Sequence, residues 1–358
     1  MTGRGIDQIM AHPCDPRLHE PYVQSALDYV RLAEQANGPI PGPVAPSYIW
    51  GDALEAGRRA APDVRVGNFE TSVTRSDAWL PKGINYRMSP QNAECLRAAG
   101  FDCCTLANNH VLDWGPDGLV DTLETLKRLG IRTAGAGRDQ TEAAAPAILD
   151  VQGKGRVLVF AYACADSGVP HGWAAAAGRP GVNLIGLSSA DADAAAAWIG
   201  RHRRPGDVVV VSIHWGANWG YAVSDARRRF AQALIDRAGA SIVHGHSSHH
   251  PLGTEVHRSR LILYGCGDFI NDYEGIGGNT QFRPDLSLMY FPAVDPETGE
   301  LVGLEMTPLR IRRLRLNAAS RADAAWLATT LDRESARFGA RVEQAGDGLR
   351  LAWKRTVH

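Results

Sequence analysis

The sequence predicts an α/β fold of mixed β-sheets flanked by helices, and three observations carry that expectation. From Ala61 onward, short apolar runs alternate with helix-like segments, which is the rhythm of βαβ units. The run 207–213 is the strongest strand signal in the chain and reads as buried on both faces, as parallel strands are. The apolar runs 286–294 and 301–309 flank Asp295-Pro296-Glu297-Thr298-Gly299-Glu300, a turn-forming stretch that predicts an antiparallel hairpin.

In chain order, an amphipathic helix is expected over 21–36. An irregular connection over 37–47 follows, punctuated by Pro39, Pro41, Pro43 and Pro46. Strands at 63–67 and 102–106 bracket a helix at 92–99, and a second helix runs over 117–129. The alternation continues with a strand at 156–163, an Ala-rich helix at 190–203, the strand at 207–213 and a helix at 225–238. Strands at 241–244 and 261–264, the hairpin and a final helix over 321–338 complete the order. The 358 residues are 44% hydrophobic and show neither internal repeat nor low-complexity tail, so one domain is expected over 1–358, its C-terminal hairpin and helix occupying about 286–340.

With 38 basic and 39 acidic residues the net charge is −1, so no long-range field draws the molecule to nucleic acid or anionic lipid, and no basic stripe interleaved with aromatics is present. No apolar run is long enough to span a membrane, and residues 1–15 lack the charged and apolar regions of a signal peptide. Cys14, Cys95, Cys103, Cys104, Cys164 and Cys266 show neither CxxC pairing nor repeated spacing, which argues against a zinc ribbon or a disulfide framework. A cytoplasmic protein with reduced cysteines is expected, with a homo-oligomer compatible.

Four polar clusters fall where apolar strands end, the place where ligand and catalytic groups gather in α/β sheets. They are Asn68-Phe69-Glu70-Thr71, Asn108-Asn109-His110 with Asp113, His214-Trp215-Gly216, and the run from His244 to His250. Singly, each has a bland reading as a turn, a helix cap or a solvated patch. Together, Glu70, Asn109, His214, His246 and His249 supply the mixed carboxylate, amide and imidazole donors that divalent-metal hydrolytic chemistry needs. Manganese, zinc, iron, magnesium and calcium are not distinguished. Trp215, Trp219 and Tyr221 are candidates for a substrate wall, and Arg4, Arg87 and Arg283 for holding a carboxylate or phosphate.

These motifs, with Tyr264-Gly265-Cys266-Gly267-Asp268-Phe269, resemble the metallo-dependent phosphatase superfamily. Within it they resemble the CapA family of capsule and poly-gamma-glutamate or polyglutamine synthesis accessory proteins. The resemblance spans nearly the whole chain and implies a calcineurin-like metallophosphatase fold. It implies that Glu70 bridges one or two divalent ions, that Asn109, His214 and His246 ligate on one side and His249 on the other, and that His110 is catalytic. Asp268 would be either a partner of those groups or an acid/base residue. The family's opening strand ends in Gly-Asp, a further ligand that would stand just before Thr2, and the sequence begins at Met1 inside that motif. A chain without that aspartate is expected to hold at most one ion firmly.

Three functions follow as expectations. The first is metal-dependent hydrolysis in capsule or polyglutamate-type metabolism, on a small-molecule, peptide or polyglutamate-type substrate. The second is an epimerase that moves a proton α to a carbonyl with its His and Asp groups. The third is a non-catalytic accessory subunit of a polymer synthase.

Overall fold

The computed structural model describes residues 1–354. Its centre is a six-stranded sheet in the order Thr254–His257, Arg260–Leu263, Ile242–His246, Val208–His214, Gly155–Ala163, Ala147–Val151. The four middle strands run parallel and the two outer ones pair antiparallel. Facing it is a three-stranded parallel sheet, Val66–Asn68, Cys103–Thr105 and Arg132–Ala134.

Strand alternation explains how the layers stack. Along Val208–His214, Val209, Val211 and Ile213 point one way and pack with Phe230, Ala231, Leu234 and Ile199 of the helices Asp225–Ala238 and Ser189–His202. Those helices start where Ser224 and Ser188 cap them, Ser188 in a reciprocal capping box with Asp191. Val210, Ser212 and His214 point the other way, toward the three-stranded sheet, where Ser212 Oγ donates to Thr105 Oγ1 at 3.2 Å.

The parallel register pairs Ser212 with His244 and His214 with His246. A two-by-two block of polar side chains therefore stands on the inner face, at the C-terminal end of the central strands. The third sheet is antiparallel, in the order Leu286–Val294, Leu301–Ile311, Gly348–Trp353, Ala340–Ala345. The helix Arg321–Ala336 packs on it through Leu327 and Leu331.

The expected hairpin and final helix are present, while the first long helix begins at Leu27, six residues later than expected from 21. The strands Arg132–Ala134, Ala147–Val151, Ala340–Ala345 and Gly348–Trp353 were not expected. No helix among the described residues is long and apolar enough to cross a membrane.

Candidate active site at the strand ends

Each candidate side chain sits at or just past the end of a parallel strand. Glu70 follows Val66–Asn68, Asn109 and His110 follow Cys103–Thr105, and His214 and His246 close their own strands. Asn108, fully buried, joins the first two loops. Its Nδ2 donates to Asn68 Oδ1 and to the Phe69 carbonyl, at 3.1 and 2.9 Å, and its Oδ1 accepts from the His110 and Val111 amides at 3.1 and 3.0 Å. All four bonding positions of this side chain are filled.

Asn109 Oδ1 lies 3.0 Å from His214 Nε2, and Glu70 Oε1 lies 3.9 Å from the same nitrogen. The second Glu70 oxygen accepts from Asn68 Nδ2 at 2.9 Å. On the other ring edge, His214 Nδ1 stands 2.9 Å from His246 Nδ1, so one donates and the other accepts. His246 Nε2 continues to Ser212 Oγ at 2.9 Å, which also meets His244 Nδ1 at 3.0 Å. Burial pushes His214 and His244 down to about 4 and His246 well below the ordinary histidine value. At neutral pH all three are uncharged and keep a lone pair.

Two histidine–aspartate pairs adjoin this block. His110 Nδ1 is 2.7 Å from Asp113 Oδ2, and burial holds its pKa below the usual value against the pull of Asp113. His249 Nδ1 is 3.1 Å from both oxygens of Asp268, which also accepts from Asn271 Nδ2 at 2.8 Å. Burial works to lower His249, but the Asp268 carboxylate overcomes it and raises the pKa, while His249 in turn overcomes the burial of Asp268 and lowers that of the carboxyl. His110, His249, Lys82 and Glu70 all act electrostatically on His214, so the groups form one cluster. Trp219 packs against His249, with ring centroids 5.2 Å apart.

Two ligand atoms that share an ion at about 2.1 Å each stand roughly 3 Å apart when they subtend a right angle. The spacing of Asn109 Oδ1 and His214 Nε2, with Glu70 beside them, fits one divalent ion held by carboxylate, amide and neutral imidazole. On the other side His249, its Nδ1 held by Asp268, keeps Nε2 for a ligand role, whereas His246 faces the far edge of His214. Among the described residues no three His, Cys, Asp or Glu side chains form a metal-holding group.

Four expected substrate contacts are corrected by the structure. Trp215 is 2% exposed, and its Nε1 donates to the Tyr264 carbonyl, so it is core and not wall. Arg4 is buried against Asp272 and Glu20, Arg87 binds Asp77 and lies over Trp114, and Arg283 is held by Asp285 and Asp323. A cation that does join the cluster is Lys82, which sequence reading missed. It lies between Ala78-Trp79-Leu80-Pro81 and Gly83-Ile84, with no motif around it.

A family model described as "Bacterial capsule synthesis protein PGA_cap" matches residues 1–273, all of the strand-end clusters included. The chain is 48% identical over 352 residues to a probable polyglutamine synthesis accessory protein of Mycobacterium tuberculosis, covering 98% of this chain and 92% of the relative. It is 30% identical over 254 residues to the PGA biosynthesis protein CapA of Bacillus subtilis (70% of this chain, 62% of the relative). To the capsule biosynthesis protein CapA of Bacillus anthracis it is 29% identical over 214 residues (58% and 50%). With its layered mixed sheets and these matches, the chain belongs to the bacterial capsule synthesis family of CapA-type, polyglutamate synthesis accessory proteins, whose fold is metallophosphatase-like.

Proposed function

We propose that this protein serves polyglutamate-type polymer synthesis as a metal-dependent hydrolase, cleaving a bond in the polymer, a peptide or a related small molecule. The observation that carries this reading is the meeting of Glu70, Asn109 and His214 beside the His110–Asp113 pair, at the ends of strands from two facing sheets. Glu70, Asn109 and His214 would hold a divalent ion, which supplies acidified water when bound. His110, carried on Asp113, would accept the proton of the attacking water on its Nε2 and pass it to the leaving atom. His249, whose protonated form Asp268 favours, would stabilise negative charge as it develops. Trp219 supplies an apolar wall on that side.

A second reading draws on one observation. His110 and His249 are displaced in opposite directions, one toward the free base and one toward the imidazolium, as an acid and a base on two sides of a substrate carbon would be. That arrangement suits an epimerase.

The test is elemental mass spectrometry of the purified protein, followed by incubation with γ-glutamyl oligomers in D2O with manganese or zinc. About one equivalent of metal, lost in Glu70→Gln and His214→Ala, together with shortened oligomers, is the expected result. Deuterium at Cα without shortening would select the epimerase. Absence of both metal and turnover would leave a non-catalytic accessory subunit.

A further inference from the structure

Lys82 reaches the His110–Asp113 pair from the segment that follows the strand Ser72–Val73. Its ammonium donates to Asp113 Oδ1 at 2.7 Å and to the carbonyl of Asn109, and lies 3.3 Å from His110 Nδ1. Trp173, from a different segment, covers it with the ring centroid 5.1 Å from Nζ. Asp113 itself is fully buried, and its second oxygen accepts from the Tyr86 amide at 2.6 Å as well as meeting His110.

A carboxylate beside an imidazole has two equivalent oxygens and can turn either toward the ring. Here Lys82 takes Oδ1, which leaves Oδ2 for His110 Nδ1. Nδ1 therefore carries the hydrogen, because the carboxylate only accepts. His110 Nε2 makes no hydrogen bond to any described residue, so the nitrogen left with a lone pair is the one free to meet substrate. By also holding the Asn109 carbonyl, the same ammonium ties the histidine to the asparagine whose side chain faces His214.

We infer that Lys82 is a positioning residue for His110. It fixes the Asp113 carboxylate and thereby the tautomer and orientation of the imidazole, rather than serving as a surface cation or a substrate contact. The assignment deepens the proposed function, since it concerns the proton-moving histidine of that cluster, yet it stands on contacts that need neither metal nor substrate.

The experiment is long-range 1H–15N NMR of the full chain labelled at histidine nitrogens, at neutral pH and free of added metal, with the His110 ring identified by its loss in His110→Gln. Wild type should show His110 with protonated Nδ1 and unprotonated Nε2. Lys82→Met should give averaged shifts from two exchanging tautomers, while Lys82→Arg should restore most of the wild-type pattern. Lys82→Gln is the second variant should the methionine protein not fold. A merely structural lysine would lower the melting temperature and leave the ring nitrogens unchanged in the folded protein, and that result would overturn the inference. So would an unaltered spectrum at an unaltered melting temperature. Because the readout needs no turnover, a protein that proves catalytically silent refutes the hydrolase reading without touching this one.

Discussion

The two faces of the Val208–His214 strand are one residue apart in register and opposite in use. One carries Val209, Val211 and Ile213 into a layer of helix side chains, every one of them apolar. The other carries Ser212 and His214 beside His244 and His246, four polar groups linked through a hydrogen-bonded row. The outer face makes the sheet stable and the inner face puts uncharged imidazoles where apolar packing would otherwise stand. A sheet can carry a dry, costly polar row because its other side is packed without compromise.

Acid should expose that difference most. For His214, His244 and His246 the folded pKa lies below the ordinary value of about 6.5, so their stabilisation is fully present above about 6.5 and is lost as pH falls from there toward about 4. His249 has the opposite sign, since its raised pKa favours folding at low pH and that contribution fades as pH rises through the folded value. Burial lowers His110 and His250 as well, so the lowered histidines outweigh the one raised, and chelator-treated protein should lose on the order of several kcal/mol between pH 6.5 and 4, read by urea titration at each pH. A flat profile over that window would mean that the inner row is solvated.

Chemistry should separate from stability next. His110→Gln is expected to lower turnover by about 10²- to 10⁴-fold while the melting temperature moves little, given the proposed proton transfer. Ile213→Ala, on the outer face, should do the reverse, costing about 2 to 5 kcal/mol in a denaturant series with turnover per folded molecule retained. Equal loss of both properties in either variant would erase the contrast. The smallest expected effect is that of Ser212→Ala, about 1 to 3 kcal/mol, because it strips the partner from buried groups of His246 and Thr105.

The same contrast explains what the sequence made legible. The central strands announce themselves because both faces are buried, and their terminal histidines and asparagines stand out against that apolar background. The strands Arg132–Ala134 and Ala340–Ala345 are short and mix polar with apolar residues, so they carry no comparable signal. Arg4 was misread as a ligand-binding cation because its partner Asp272 is 268 residues away along the chain. Lys82 was invisible for a related reason. Its meaning lies in Asp113 and Trp173, neither of which its own neighbourhood suggests.

Asn108 and Asn109 stand side by side, and a substitution table would treat them alike. Aspartate at 109 would keep an oxygen aimed at His214, whereas aspartate at 108 would lose both donors that hold Asn68 and Phe69 and set a charge against their oxygens. Anyone transplanting this cluster into another scaffold must therefore carry Asn108 and its carbonyl partners along, although it meets His110 only through the backbone amide. It is the rivet that joins two separate loops into a single part.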